Sequence, residues 1–231
     1  MKNIKNTDTL SEDKIGDVMK NPQIVFLVVI VGVSLIFGGY LLAPSSSTGN
    51  SANKAADTKS QTAVDTKLLN SESSPRIGSK DAKVQIVVFS DYQCPYCKNA
   101  HETVKNILDK YGSDVSVVQR NFIVHSASMI LAQSAEAANL QGKYSEMNDA
   151  LFSKNVEATE DAVVALAKEL KLDENKFKSD LNSDKVKGQI EKDNSDAQTM
   201  NLGGTPSVFL NGEVVENFNN LESLVKEKLG K

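Results

Sequence analysis

The chain has 231 residues, a formal net charge of −4 and only two cysteines. This length accommodates one globular domain with additional segments. No block or stripe of Lys and Arg stands out, which argues against a nucleic-acid partner. Two cysteines are too few for the disulfide framework of a small secreted scaffold.

The N-terminal part of the chain is predicted to lie outside the fold. Residues 1–22 are polar and of mixed charge, and we predict a cytoplasmic tail. Residues 24–43 carry no charge, and about 20 helical residues span the hydrocarbon core of a bilayer. The sequence therefore predicts a transmembrane signal-anchor helix over residues 23–43. Lys20 precedes this run closely while Lys54 is the first positive residue after it, which favours a cytoplasmic N-terminus.

Two alternatives for the apolar run stay open: a cleaved signal peptide with its cut near Ala43, and a buried core helix. The polar segment before the run is long for a signal peptide. The run also exceeds the roughly 7–15 apolar residues of a signal h-region, so the anchor is favoured. Residues 44–75 are rich in small and polar residues, and we predict a flexible linker there.

The folded domain is predicted over residues 76–231. Residues 84–90 (VQIVVFS) are apolar almost throughout, as in a strand buried on both faces. The CPYC motif follows, then an amphipathic helix that ends near Gly112. Residues 115–124 form a second predicted strand. A strand, a helix and a strand in this order indicate a βαβ unit with a parallel sheet.

The remainder of the chain is predicted to form a helical block, followed by a hairpin and a final helix. Residues 126–200 are predicted to be all helical, and Thr159 is a candidate N-cap within them. Next, SVFL and EVVEN flank the dipeptide Asn211-Gly212, which is a strong hairpin signal. The chain closes with an amphipathic helix whose apolar face carries Leu221, Leu224, Val225 and Leu229.

This order resembles the DsbA-like thiol–disulfide oxidoreductases over roughly residues 76–231. The stretches FSDYQCPYCK, AEAANLQGKYSEMNDALF and GGTPSVFLNG carry the resemblance together. It implies an α/β, thioredoxin-like fold with an all-helical insertion, about residues 126–200, between the βαβ half and the C-terminal ββα half. We predict this fold, preceded by one N-terminal transmembrane helix.

The motif residues have distinct predicted roles. Cys94 is placed at a helix N-terminus, where unpaired N–H groups and the helix dipole stabilise a thiolate, so it is the predicted nucleophile. Cys97 lies one turn further on the same face and is the predicted resolving thiol. Pro95 suits the first helical turn. Pro95 and Tyr96 together tune the couple, and the neutral Tyr96 predicts an oxidant of moderate strength.

Two other interpretations of the cysteines are less favoured. A structural zinc site needs four ligands, and the chain adds only His101 and His125 without a ligand-like spacing. An unreactive structural disulfide is the other alternative. We predict no metal and no cofactor besides the redox-active disulfide between Cys94 and Cys97.

A second site feature lies about a hundred residues after the cysteines. The resemblance implies that Pro206 is cis and faces the cysteine pair. It also implies that Thr205 offers its backbone to an extended substrate segment, in the manner of an added strand. Thr205 and Pro206 are therefore the predicted substrate-binding residues.

One position departs from the family pattern. Members often carry a buried acid six residues before the first cysteine, where this chain has Val88. Asp91 is close enough in sequence to substitute for it, although a cap or turn role is favoured. His101 and His125 are interpreted as packed or structural residues.

The predicted function is that of an extracytoplasmic thiol–disulfide oxidoreductase that forms disulfide bonds in secreted or surface proteins. Its predicted partners are reduced or unfolded secreted proteins and a membrane redox partner, expected to be a quinone-linked oxidase. We expect a monomer in the cell membrane, with a single span and the C-terminal domain outside the cytoplasm. The alternatives are a disulfide reductase or isomerase of the same fold, and a non-catalytic, membrane-tethered binding module.

Overall fold

A computed structural model describes residues 66–69 and 71–231. The predicted cytoplasmic tail, the transmembrane helix and most of the predicted linker lie outside the described residues. Within those two described ranges, no helix is long and apolar enough to cross a membrane.

The described residues form a mixed sheet in the spatial order β1-β3-β2-β4-β5. Strand β2 is parallel to β3, whereas the other three pairings are antiparallel. The parallel βαβ unit predicted from the sequence is therefore present, with β2 at the centre of the sheet. The strands are β1 (Arg76–Gly78), β2 (Val84–Ser90), β3 (Val115–Asn121), β4 (Ser207–Leu210) and β5 (Glu213–Val214).

Helices surround the sheet, and five of them, α3 to α7, lie between β3 and β4. This block is the helical insertion. The helices are α1 (Thr66–Leu69), α2 (Pro95–Tyr111), α3 (Ser128–Asn139), α4 (Tyr144–Ser153), α5 (Glu160–Glu169), α6 (Glu174–Leu181), α7 (Asp184–Thr199) and α8 (Leu221–Leu229). Short 3-10 turns occupy Gly112–Asp114 and Phe218–Asn220.

Several local predictions are confirmed. The Thr159 side chain accepts a hydrogen bond from Ala162 N and caps α5. Asn211 and Gly212 both have positive φ, 49° and 88°, as the tight turn between β4 and β5 requires. The strand predicted over residues 115–124 ends earlier, at Asn121, because the N–H groups of Ile123 and Val124 bond to the Asn194 and Asp91 side chains instead of to a strand.

Apolar side chains of β2 alternate between the two faces of the sheet. Val84, Ile86 and Val88 share one apolar cluster with side chains of α2 and α8. Val87 and Phe89 belong to a second cluster, with Leu69 of α1 and Ala197 of α7. Each fully buried aliphatic or aromatic side chain of this kind contributes about 1.5–3 kcal/mol.

The folded domain begins before residue 76, because the last part of the predicted linker, residues 44–75, packs on it. Leu69 is 1% exposed in the core, and the Leu68 carbonyl accepts a hydrogen bond from Arg120. The Ser74 hydroxyl donates to Asp193 at 3.4 Å. The last residues of the predicted linker therefore pack on the domain ahead of Arg76.

A buried ion network joins the insertion to the sheet. Arg120 of β3 is 1% exposed, and its Nε lies 2.6 Å from Asp193 Oδ1 of α7. The Arg120 Nη2 atom pairs with Asp196 Oδ2. Asn121 donates to Asp193 and to Glu136 of α3. Removing one partner from such a buried pair costs about 3–5 kcal/mol, so this network locks the insertion onto β3.

Candidate active site

Cys94 is the residue immediately before α2, and Pro95 is the first residue of that helix. The Cys94 carbonyl accepts the N–H groups of Cys97 at 3.0 Å and Lys98 at 3.3 Å, so the first helical turn begins on Cys94. The thiol therefore lies at the positive end of the α2 dipole, which favours a negative charge on sulfur.

Cys97 lies one turn into α2 and is more deeply enclosed, with 1% exposure against 7% for Cys94. Its Sγ accepts a hydrogen bond of 3.5 Å from Asp91 N. Burial raises the pKa of the Cys97 thiol to about 12, and the Asp91 N–H opposes that rise only in part. Cys97 is thus a neutral, shielded thiol at physiological pH.

Thr205 and Pro206 lie against the cysteines despite their distance in sequence. The Thr205–Pro206 peptide bond is cis, as the resemblance implies. The Cys94 thiol donates to the Thr205 carbonyl over 3.4 Å. The Thr205 hydroxyl is buried without a well-formed hydrogen bond to any described residue, yet it is close enough to Cys97 to oppose the burial-driven rise in that thiol's pKa.

The remaining predicted positions separate into exposed and structural ones. Tyr96 is 65% exposed beside the pair, so its ring forms part of the surface around the cysteines. Val88 is 3% exposed in the apolar core shared with α2 and α8. Nothing polar replaces the family's buried acid at this position.

Asp91 has a structural role, in agreement with the favoured interpretation of a cap or turn residue. Its buried carboxylate accepts the N–H groups of Gln93 and Val124 at 2.8 Å, His125 at 2.9 Å, and the Ser128 hydroxyl. Burial alone would raise its pKa, but these hydrogen bonds more than offset burial and hold the pKa below its ordinary value. Asp91 therefore ties the cysteine loop to the start of the insertion as an anion at physiological pH.

The two histidines are also structural. The His101 side chain is 10% exposed, and its Nε2 lies 3.1 Å from Asp149 Oδ1 of α4. Burial lowers the pKa of His101, so the ring is neutral near pH 7. His125 is half exposed and its Nδ1 lies 3.2 Å from Asp91 Oδ1.

Sequence reasoning missed the residue that encloses the thiols, Phe152 at the end of α4. Phe152 forms a separate apolar cluster with Cys94 and Cys97, and Tyr92 packs against that cluster. Tyr92 stands within the cysteine motif region and Phe152 within the helical stretch that carries the resemblance. The pairing itself has no sequence signal, because it joins residues 60 positions apart.

A groove of about 440 Å³ opens beside Cys94. The cysteine loop and α2 form one side of it, while the helical insertion forms the other. Side chains from the insertion that line it are Leu131, Leu151, Phe152, Lys154, Asn155, Val156 and Glu157. The groove therefore leaves Cys94 accessible from solvent.

The site holds no cluster that suits a metal. Across residues 66–69 and 71–231, no group of three or more His, Cys, Asp or Glu side chains is arranged to hold a metal ion. Thioredoxin-like disulfide oxidoreductases typically need no cofactor, since a pair of thiols can exchange electrons by itself.

Solved structures share this architecture. A thioredoxin-like oxidoreductase from Silicibacter pomeroyi is 30% identical with a TM-score of 0.63, and the match covers 71% of this chain and 96% of that chain. BdbD from Bacillus subtilis, in its oxidised form, is 26% identical with a TM-score of 0.62, covering 69% and 94% of the two chains. The catalytic domain of Proteus mirabilis ScsC is 26% identical with a TM-score of 0.61, covering 71% and 93%.

Curated relatives include the Na⁺/H⁺ antiporter NhaA 3 of Salinispora tropica, which is 33% identical over 150 residues. That match covers 64% of this chain, which spans only 23% of the antiporter's length. A family model described as thioredoxin matches residues 70–227. With the fold and cysteine geometry described above, this match shows that the chain belongs to the thioredoxin family.

Proposed function

We propose that this protein is a thiol–disulfide oxidoreductase that donates the Cys94–Cys97 disulfide to thiols of secreted or surface proteins. The observation that carries the proposal is the unequal enclosure of two sulfurs on one helical turn. Cys94 lines an open groove at a helix N-terminus, whereas Cys97 is 1% exposed behind Phe152. An incoming thiolate can therefore reach only one of the two sulfurs.

The exchange proceeds in two displacements. The secreted or surface protein that is oxidised is called the client. A client thiolate attacks Cys94 Sγ, the Cys94–Cys97 bond breaks, and Cys97 leaves with the electron pair and takes up a proton. A second client thiolate then attacks the client sulfur of the mixed disulfide and expels Cys94 as a thiolate. The client is oxidised by two electrons and the protein is reduced by two, as dithiol exchange requires.

Thr205 and Pro206 position the client in this scheme. An extended client segment hydrogen-bonds to the Thr205 backbone as an added strand and brings its cysteine to Cys94. Pro95 and Tyr96 tune the couple. Tyr96 supplies no positive charge for the thiolate, which favours an oxidant of moderate strength.

The proposed setting is the outer side of a cell membrane. Residues 23–43 would anchor the chain, and the segment after them would let the domain reach clients. A membrane redox partner, which we propose to be a quinone-linked oxidase, would reoxidise Cys94 and Cys97. Disulfides form and persist in such oxidising compartments.

The reduction potential tests the direction of electron flow. The full chain is equilibrated with glutathione buffers and the fraction of oxidised protein is measured. We expect a value closer to that of DsbA, about −120 mV, than to that of thioredoxin, about −270 mV. A thioredoxin-like value would overturn the oxidase assignment in favour of a reductase.

The location is tested separately in intact cells that produce the full chain. A membrane-impermeant maleimide should label reduced Cys94, and Cys94→Ser is the control that should abolish labelling. Labelling only after the cells are broken would contradict the extracytoplasmic orientation.

A further inference from the structure

Three rings pack in series behind the cysteine pair, with one stacked and one tilted contact. The Phe152 ring lies between Tyr92, with centroids 4.8 Å apart and planes at 36°, and His101, with centroids 4.8 Å apart and planes at 23°. Tyr92 belongs to the cysteine loop, His101 to α2 and Phe152 to α4. The stack therefore joins the insertion to both segments that carry the thiols.

Asn148 holds the two outer rings of this stack. The Tyr92 hydroxyl donates to Asn148 Oδ1 at 2.8 Å, and Asn148 Nδ2 lies 3.4 Å from His101 Nδ1. These roles agree with each other when His101 is neutral, with Nδ1 accepting from Asn148 and Nε2 donating to Asp149. Asn148 is 1% exposed, so it has no water to replace either partner.

Helix geometry couples Asn148 to Phe152. The two residues are four positions apart on α4 and share one face of that helix. Asn148 fixes the flanking rings while Phe152 fills the slot between them. The position of Phe152 thus depends on hydrogen bonds made one helical turn away.

Phe152 is a thin barrier between Cys97 and open space, whereas Cys94 itself lines the groove. Phe152 lines both the 440 Å³ groove beside Cys94 and a cavity of 250 Å³ on its other side, where His101 and Asp149 also contribute. Cys97 lines neither space and shares its apolar cluster with Phe152. Loss or displacement of this ring would admit water to Cys97.

We propose that Phe152 is a positioning residue that governs how fast Cys97 enters and leaves the disulfide, and that Asn148 acts through it. This inference rests on the thiol exchange proposed above. In the step concerned, Cys97 loses its proton to water and attacks Cys94 Sγ of a mixed disulfide. The Cys94–Cys97 bond forms, the bond from Cys94 to the other sulfur breaks, and the electron pair leaves on that other sulfur.

The barrier slows this step because it keeps Cys97 away from water. Burial is the main cause of the high pKa of the Cys97 thiol. For each unit by which that pKa falls, the thiolate fraction rises tenfold while its nucleophilicity falls about threefold, a net gain of about threefold in rate. A weakened barrier should therefore accelerate the attack by Cys97 several-fold.

The titratable and charged groups around the thiol are few enough to separate in such a test. Among the described residues, Cys94 immediately before α2 and the Asp91 N–H act on the Cys97 thiol directly, Tyr92 packs against its apolar cluster, and His101 lies behind Phe152. Asp91 is anionic, and burial raises the pKa of Tyr92 so that its phenol is neutral. His101 is further surrounded by Asp149, Lys105 and Glu102.

The experiment uses the reduced full chain and Ellman's reagent. Attack by Cys94 releases the first thionitrobenzoate and leaves a mixed disulfide, and attack by Cys97 on that disulfide releases the second. Rapid mixing resolves the two steps across a pH series. The variants are Asn148→Ala, Phe152→Ala and Phe152→Leu. Tyr144→Phe is the matched control, since it removes a buried hydroxyl of α4 that lies 3.4 Å from the Tyr92 hydroxyl but leaves the 2.8 Å bond from Tyr92 to Asn148 in place.

We expect the second release to be at least threefold faster in Asn148→Ala and Phe152→Ala, with its pH profile moved to lower pH. Phe152→Leu should be intermediate, and Tyr144→Phe and the first release should stay within twofold of the parent. A second release that is unchanged or slower in folded Asn148→Ala and Phe152→Leu would overturn the inference, even if Phe152→Ala does not fold. Absence of the first release in the parent chain would instead contradict the proposed function.

Discussion

The Sγ atom of Cys94 lies 3.4 Å from the carbonyl oxygen of Thr205, a residue 111 positions later in the chain. This contact places the first thiol of the motif against the cis peptide between Thr205 and Pro206. A client cysteine that pairs with the Thr205 backbone would meet Cys94 at the same place.

Replacement of the enclosed thiol should trap clients. In Cys97→Ser the mixed disulfide at Cys94 cannot be resolved from within the protein. We expect covalent complexes that disappear on reduction, detected by non-reducing electrophoresis of the full chain in cells. Cys94→Ser is the control and should form none. Equal trapping by both variants would contradict the assignment of Cys94 as the attacked sulfur.

Removal of the Thr205 hydroxyl should change both the free energy of unfolding and the rate of attack by Cys97. Thr205→Val removes a buried hydroxyl that lacks a well-formed hydrogen bond, and such groups cost about 1–3 kcal/mol. We expect the reduced variant to gain about 1 kcal/mol in urea unfolding. Attack by Cys97 should slow, because the hydroxyl opposes the burial-driven rise in the pKa of that thiol. Thr205→Ser, which keeps the hydroxyl, is the control, and a faster attack in the valine variant would refute the predicted role.

The Asp91 carboxylate should stabilise the fold over a defined pH range. The pKa of Asp91 is lowered in the folded state. Its contribution to the free energy of unfolding is therefore present above about pH 4 and is lost as pH falls through the lower, folded pKa. Asp91→Asn should cost about 2 kcal/mol at pH 7, since an amide cannot accept from all four donors. Urea unfolding measures this loss. The exposed Asp81→Asn is the control, and equal losses in both variants would count against the structural role.

Glu136 should produce the opposite pH trend. Burial raises the pKa of the Glu136 carboxyl from its ordinary value of about 4.5 to about 8. Because this pKa is raised in the folded state, the contribution of Glu136 to the free energy of unfolding is fully present below about pH 4.5 and is lost as pH rises through 8. Glu136→Gln keeps an oxygen for Asn121, which donates at 2.9 Å.

The Glu136→Gln variant should therefore remove a pH dependence of a few kcal/mol between pH 5 and 8. The measurement is the free energy of unfolding in urea across that range, compared with the parent chain. An unchanged slope in the variant would show that another group carries the dependence.

Local elements of this fold are predictable because their causes lie within a few residues. Three features show this: the apolar run of β2, the Thr159 cap of α5 and the Asn211-Gly212 turn. Each meets its burial or backbone requirement through residues that are adjacent in the sequence. The motif and its family resemblance also identify Cys94, Cys97, Thr205 and Pro206, which the fold brings together. The end of β3 is less predictable, since the N–H groups after Asn121 bond to distant side chains, Ile123 to Asn194 and Val124 and His125 to Asp91.

Contacts between distant segments depend on tertiary structure. Arg120 is a charged residue within a buried strand, and its partners Asp193 and Asp196 are more than 70 positions away. No pattern in the sequence pairs these ions, because each is an ordinary surface-type residue in its own helix or strand.

The same holds for the environment of the thiols. The spacing of Cys94 and Cys97 at the start of a helix is enough to indicate a nucleophile and a resolving thiol, since one helical turn sets their relation. Their accessibility is decided by Phe152 and Asn148, which reach the site only after the insertion packs on α2. Burial is a property of the folded whole, and it alone makes Cys97 a shielded thiol.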